Sequence, residues 1–357
     1  MPDVSAEPPG PAGPLTEQPL APLTTLRLGG PAKRLRVAST ADEIVQTIRD
    51  AAPVLVLAGG SNVVIADAGF PGTVVLVRTG GVTEIAGDAD SVTVRVAAGE
   101  SWDRFVTDAV EAGWSGVECL AGIPGSAGAT PIQNVGAYGQ EVAETIVAVE
   151  AYDRLEGVVR RLAPPDCGFA YRTSVFKHSD RWVVLSVDLR LNRSRESAPV
   201  RYAELAHALG VPLGDRVPAA DASEAVRALR AGKGMVLDAA DHDTWSVGSF
   251  FTNPVLDADA YAGLVARSAY GEPPSWPRTD GVVKVSAAWL IERAGFKKGH
   301  DGPGGVAISG KHTLALTNRG GGSTDALLAL ARGIRDGVHD RFGVTLHPEP
   351  VLVNCRL

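Results

Sequence analysis

Several short segments of this 357-residue chain carry groups able to hold an anion, stabilise a developing charge or move a proton. The apolar run Val54-Leu55-Val56-Leu57-Ala58 ends at Gly59-Gly60-Ser61-Asn62. A buried strand running into small residues lets backbone N–H groups approach a phosphate closely. An ordinary tight turn after a strand is the competing reading of those four residues. Farther along, Gly122-Ile123-Pro124-Gly125-Ser126-Ala127-Gly128 removes side chains at three evenly spaced positions, and Gln133-Asn134-Val135-Gly136-Ala137-Tyr138-Gly139 follows it. Gln133 and Asn134 offer the donors and acceptors that read a planar heterocycle, although a long surface loop is again an alternative.

Three more segments set polar groups against apolar ones. Tyr171-Arg172-Thr173-Ser174-Val175-Phe176-Lys177 places a guanidinium and an ammonium beside aromatic rings, suited to a carboxylate or phosphate. Gly248-Ser249-Phe250-Phe251-Thr252-Asn253-Pro254 sets one hydroxyl in an apolar wall, from which a proton can be delivered. His347-Pro348-Glu349-Pro350-Val351 holds a carboxylate between two prolines before a final strand. Taken singly, each is also explained by a packed aromatic, a strand start or a turn. Other signatures are missing. No G-x-G-x-x-G follows a strand, no H-E-x-x-H or G-x-S-x-G occurs, and Gly305–Lys311 fits G-x-x-x-x-G-K only to be followed by His312 instead of a hydroxyl residue.

The elements that must position these groups read as mixed α and β. Thr40 and Glu43 form a capping box ahead of Ile44, Val45 and Ile48 at helical spacing. Trp102, Phe105, Val106, Ala109 and Val110 share one face of a helix opened by Ser101 and closed by Gly113. Strand signals lie at 34–38, 54–58, 73–77, 91–97, 145–152, 158–162 and 182–191. Helical patterns cover 222–231, 258–268, 286–294 and 324–342. The fold class is α+β with α/β-like alternation in the first half. The division expected is a disordered tail over 1–22, where seven prolines fall, a first lobe over 23–192 and a second over 193–357, cut at the polar stretch Asn192–Ser197.

Composition bounds the function. A hydrophobic content of 45% and a charged content of 21% describe an ordinary globular chain, so the 41 glycines and 24 prolines point to many defined loops rather than low complexity. A formal charge of −7 argues against a nucleic-acid or membrane-surface partner, so positive charge for an acidic ligand must be placed locally. Arg230, Lys284 and Lys311 are further cations of that kind. Cys119, Cys167 and Cys355 form neither a C-x-x-C pair nor an even set, which makes a structural metal unexpected and a reducing cytoplasm the default. There is no secretory n- and h-region, and no apolar run reaches membrane-spanning length.

Six markers in this order resemble the UDP-N-acetylenolpyruvoylglucosamine reductases (UDP-N-acetylmuramate dehydrogenases): Thr24-Thr25-Leu26-Arg27-Leu28-Gly29-Gly30-Pro31-Ala32, Gly59-Gly60-Ser61-Asn62, the 122–139 loop, Tyr171-Arg172-x-Ser174, Gly248-Ser249-Phe250-Phe251 and Pro348-Glu349. The resemblance spans Thr24 to Leu352. It implies a flavin lobe (PCMH-type) of the kind found in vanillyl-alcohol-oxidase-like enzymes, FAD as cofactor, NADPH as co-substrate and a second lobe closing over a UDP-sugar. The implied reaction reduces UDP-N-acetylglucosamine enolpyruvate to UDP-N-acetylmuramate in peptidoglycan synthesis, hence in cell-wall biogenesis, cell shape and division. By position it implies Arg172, Ser249 and Glu349 as catalytic: the enolate-stabilising cation, the general acid and a carboxylate working with the arginine. It implies Ala58, Gly59, Gly60, Ser61, Asn62, Gly122, Gly125, Ser126, Gly128, Gln133, Asn134, Gly136 and Ala137 at the cofactor. It also implies Tyr171, Tyr202, Lys233 and Asn253 at the substrate, Tyr202 marking the longer subtype with a capping loop. A monomer or weak oligomer is expected. The rival readings are a flavin oxidase of the same fold acting on a sugar lactone or phenol, and a non-catalytic UDP-sugar or flavin-binding regulator.

Overall fold

The computed structural model describes residues 18–278 and 281–357. Most of the tail expected over 1–22 lies outside the described residues, but its last part does not belong to a tail. Gln18–Pro19 pairs with Pro31 and Ala32, and Leu20 is fully buried. The pairing partner lies a dozen residues downstream, where proline-rich composition gives no hint of it.

The first sheet is built on parallel pairing. Strands Pro31–Ala38 and Val54–Leu57 both lie parallel to Phe70–Val77, which sits between them. Helix Ala41–Asp50 makes the crossover. Thr40 Oγ1 accepts from the Glu43 N–H at 3.2 Å while the Glu43 carboxylate accepts from the Thr40 N–H at 3.2 Å, so the expected capping box is present. The helix then buries Ile44, Val45 and Ile48 against Val75 and Val77.

The second sheet is antiparallel, in the order Val158–Leu162, Ile146–Asp153, Trp182–Arg193, Ser91–Ala97, Val82–Gly87. Val92, Val94 and Val96 are fully buried at alternate positions, the period-two face that a half-covered sheet requires. Helix Trp102–Glu111, capped by Ser101, lays Trp102, Phe105, Val106 and Ala109 over that face. The edge strand Val82–Gly87 carries no sequence signal, because every residue in it is exposed and nothing demands apolar alternation.

The boundary expected at 192 is not where the core changes. Trp182–Arg193 runs through it, and the two helices that follow, Ala203–Leu209 and Ala219–Gly232, place Leu205, Ala206 and Val226 in the same cluster as Trp102, Leu189 and Leu191. A separate cluster gathers helices Ala258–Arg267, Ala287–Arg293 and Thr324–Phe342 with short strands Val306–Ile308 and Leu316–Asn318. It also takes in Leu26, Leu28 and Val64 from the start of the chain. Strand Val351–Val353 pairs in parallel with Val63–Ile65, and Thr25 Oγ1 donates to the Ser246 carbonyl at 2.7 Å. Both connections stitch the halves together beside the Gly59–Asn62 turn. The later glycine cluster has a packing role: Leu330 and Val306 lie 2.9–3.0 Å from where a Cβ on Gly302 would sit, so the loop presses onto helix Thr324–Phe342.

Candidate active site

A cleft of about 940 Å³ opens between the two hydrophobic clusters, within the size range of small-molecule and cofactor sites. One wall is backbone. Gly59 touches Gly125 so closely that a Cβ on it would fall 2.7 Å from the Gly125 Cα, and a Cβ on Gly128 would fall 2.5 Å from that of Ala98. Between these contacts the N–H groups of residues 59–62 make no bond to a backbone carbonyl among the described residues. The buried Ser126 Oγ, also on this wall, has no partner among them. Unspent donors facing a cavity with no room for side chains fit the phosphates and ring edge of a dinucleotide cofactor such as FAD. Asn62 Nδ2 donates to Gln133 Oε1 at 2.7 Å and Ser61 Oγ to the Pro124 carbonyl at 3.0 Å, tying the two glycine loops into one cradle.

Of the residues expected at the cofactor, Ala58, Gly59, Gly60, Ser61, Asn62, Ser126, Gly128, Gln133, Gly136 and Ala137 line this cleft. Gly122, Gly125 and Asn134 do not. Gly125 stands behind Gly59, and a Cβ on Gly122 would face Val236 and Arg230. Asn134 is buried, its Nδ2 donating to Glu141 at 2.7 Å and its Oδ1 accepting from the Ala143 N–H at 3.1 Å. Its amide therefore braces the loop instead of reading a ring.

The opposite wall is made of side chains from distant segments. Arg172 adopts φ 53°, a left-handed conformation uncommon for arginine. Its Nη2 donates to the Gly136 carbonyl at 2.6 Å and its Nη1 to that of Asn134 at 3.3 Å, while Lys177 Nζ donates to the Arg172 carbonyl at 3.0 Å. Those bonds fix the guanidinium, whose Nε lies 3.7 Å from Glu349 Oε1. Glu349 is seated by its N–H donating to the Phe250 carbonyl at 2.8 Å. Burial pushes its carboxyl above the usual range, against the opposing pull of Arg172 and Lys177. Ser249 stands beside Phe250, bridged to Ala315, and its Oγ lies 3.4 Å from His312 Nε2.

The expected substrate residues, Tyr171, Tyr202, Lys233 and Asn253, all line the same cleft. The Tyr138 and Tyr202 rings meet edge to face at 5.4 Å, and the Lys233 ammonium lies 5.4 Å from the Tyr138 ring centre. Burial works against the Lys233 charge, but Glu204, accepting from Nζ at 2.5 Å, together with Tyr138 and Tyr202 outweighs it and raises the ammonium's pKa. Asn253 Oδ1 is committed to the Ala287 N–H at 2.9 Å. Lys284 sits 4.9 Å from the Tyr171 ring and 5.2 Å from that of Trp276. Burial, helped by Arg172 and Arg278, lowers its pKa. Arg230 also faces the cleft, pushed down to about 10 mainly by burial, and its Nε has no partner among the described residues. Lys311 does not reach the cleft and pairs with Asp241. Thus a chain of charge −7 gathers Arg172, Arg230, Lys233 and Lys284 around one cavity. His312 is a site residue that sequence reasoning missed: it stands outside every marker, and only the isolated bridge between Ser249 and Ala315 brings it to the serine.

Residues 239–353 match the family model described as UDP-N-acetylenolpyruvoylglucosamine reductase, C-terminal domain, and residues 32–163 match that of an FAD binding domain. The chain is 67% identical over 345 residues to the UDP-N-acetylenolpyruvoylglucosamine reductase of Salinispora arenicola, covering 95% of each. It is 56% identical over 348 residues to that of Thermobifida fusca, covering 95% of this chain and 98% of the relative. Among solved structures, the UDP-N-acetylenolpyruvylglucosamine reductase of Thermus caldophilus superposes with a TM-score of 0.64 at 25% identity, over 94% of this chain and 97% of that one. With an FAD-binding first lobe, a matching C-terminal domain and relatives similar from end to end, the chain belongs to the UDP-N-acetylenolpyruvoylglucosamine reductase family.

Proposed function

We propose that Arg172, Ser249 and Glu349 carry the chemistry of this FAD-dependent enzyme, which reduces the enolpyruvyl ether of UDP-N-acetylglucosamine to UDP-N-acetylmuramate for peptidoglycan synthesis with NADPH as reductant. The observation behind the residue roles is their convergence: three side chains from segments 77 and 100 residues apart in sequence meet in the one cleft that the glycine cradle lines. FAD, when bound, supplies the two-electron carriage between NADPH and the carbon–carbon double bond.

The residues answer the needs of that reduction. Electron delivery to one alkene carbon leaves negative charge delocalised toward the substrate carboxylate, and the permanently charged Arg172 guanidinium, immobilised by the Gly136 and Asn134 carbonyls, neutralises it. Glu349, its ionisation resisted by burial, holds the arginine from the other side and can share a proton with the enol oxygen. Ser249 delivers a proton to the other carbon from a wall that Phe250 and Phe251 keep apolar. Tyr171 flanks the enolpyruvyl group, while Lys233 and Asn253 meet the diphosphate and Tyr202 covers it. The flavin lobe, on this reading, comprises the region from residue 23 to the boundary near 192 and is extended by the helices packed onto it. On this reading the enzyme works in the cytoplasm, a reducing compartment in which its three free cysteines would stay reduced; among the described residues no helix is long and apolar enough to cross a membrane.

An anaerobic titration tests the assignment. NADPH added to the yellow protein should bleach the flavin, and UDP-N-acetylglucosamine enolpyruvate added next should restore it stoichiometrically. A protein that ignores NADPH and consumes oxygen with an alcohol would overturn the reading.

A further inference from the structure

We propose that His312 is the positioning residue for the Ser249 hydroxyl, donating a hydrogen bond from Nε2 to Oγ so that the serine's own hydrogen is turned toward the substrate. This rests on the reading of Ser249 as the proton donor. The 3.4 Å approach to His312 Nε2 is the one hydrogen bond that Ser249 Oγ makes among the described residues. A serine hydroxyl has one hydrogen and two lone pairs. If the imidazole accepted, the hydrogen would be spent on the ring; if the imidazole donates, a lone pair is occupied and the O–H is left to aim at the substrate.

The turn that carries the ring is held from several directions. Ser309 Oγ accepts from the His312 N–H at 3.2 Å and from the Lys311 N–H at 3.0 Å. On the same turn the Gly310 N–H donates to Asp243 Oδ1 at 3.1 Å, Asp243 pairs with Arg319 at 2.8 Å, and Lys311 pairs with Asp241. The acidic stretch around His242 thus clamps the turn that presents His312. On the serine side, the Phe250 N–H donates to the Leu314 carbonyl at 2.7 Å, fixing the spacing of the two segments. Burial, with Lys233, Lys298 and Arg230 adding to it and Glu204 opposing, pushes His312 down to about 4. The imidazole is therefore neutral at pH 7, with one N–H to give. In the proton-transfer step the Oγ–H bond breaks as the C–H bond forms, the Nε2–H bond stabilises the oxygen while it carries charge, and water returns a proton when the cleft opens.

The test compares His312→Leu, which removes the donor, with His312→Gln, which restores an N–H of similar reach, in the flavin-loaded enzyme and beside Ser249→Ala. His312→Leu should slow flavin reoxidation by the enolpyruvyl substrate about tenfold, the scale of one hydrogen bond to a charge-bearing group, and leave flavin reduction by NADPH and the KM for substrate unchanged. His312→Gln should recover most of the loss. Added to Ser249→Ala, His312→Leu should have no further effect. A raised KM with an unchanged rate, equal slowing of both half-reactions, or full additivity with Ser249→Ala would overturn the proposal. Should His312→Leu fail to retain flavin, nitrogen-15 NMR of the histidine ring in the unaltered enzyme decides: a neutral ring protonated at Nε2 supports the proposal, and one protonated at Nδ1 alone or charged at pH 7 rejects it. If Ser249→Ala reoxidises normally, the serine reading itself fails; if only His312→Leu does, the positioning role alone is lost.

Discussion

The two walls of the cleft are made in opposite ways. Around Gly59, Gly128 and Ser126 the surface is backbone, shaped by the absence of side chains and by contacts of 2.5–2.7 Å that leave no space for a Cβ. Around Arg172, Ser249, His312 and Glu349 it is made of side-chain ends delivered by four separate segments. A wall of backbone tolerates no added atom but asks little of chemical identity. A wall of side chains tolerates small shifts but fails when one functional atom is removed. The first suits holding a large cofactor, the second suits acting on a small reacting group.

That contrast breaks most visibly at Ser249. Ser249→Ala should slow flavin reoxidation by the enolpyruvyl substrate about 10²–10⁴-fold, the usual contribution of general acid catalysis, while the flavin content and its reduction by NADPH stay normal. Rapid-mixing absorbance of each half-reaction checks it, and equal loss in both would erase the distinction between the walls. Gly59→Ala should do the reverse. Its Cβ meets backbone at Gly125, which cannot rotate away, so the purified protein should be largely colourless, as the ratio of flavin to protein absorbance will show.

A smaller effect appears in stability. The folded-state pKa of His312, about 4, lies below the ordinary 6.5, so the unfolded chain binds the proton first as pH falls. This contribution is complete above about pH 6.5 and drains away toward pH 4, by at most about 3 kcal/mol given the 1.36 kcal/mol per unit conversion. Denaturant titrations from pH 7 to 4 should show a flatter profile for His312→Gln than for the natural enzyme; parallel profiles would show that the ring is not shielded. The smallest effect is expected in the glycine-rich loop that serves neither wall. Gly299 has φ 74° and open space where a Cβ would stand, so Gly299→Ala should cost only about 1–2 kcal/mol of backbone strain and leave the flavin spectrum untouched.

What could be read ahead of the structure divides along similar lines. Helices announced by local chemistry, such as the one after the Thr40–Glu43 box or Trp102–Glu111 after Ser101, lie where their caps place them. Arg172, Ser249 and Glu349 each stood inside a short marker, and the fold brings all three to one cleft. Features defined by distant partners were not legible. Gln18–Pro19 needs Pro31, the helices after 192 need the valine face of the second sheet, and His312 needs Ser249. Asn134 shows the converse: its residue type suggested recognition, but its surroundings, Glu141 and Ala143, claim the amide for the loop.

The pairing of Val351–Val353 with Val63–Ile65 has a consequence in time. Glu349 is seated two residues before that strand, and Asn62 one residue before its partner, with the Val351 N–H donating to the Asn62 carbonyl at 3.0 Å. The first lobe can fold while the ribosome is still adding residues, since N-terminal units generally do so first. The wall of side chains cannot be completed until residues 349–353 have been added as well. A nascent chain that stops before Glu349 therefore lacks both that carboxylate and the strand that locks the two halves together beside the Gly59–Asn62 turn, so assembly of the cleft waits for residues 349–353.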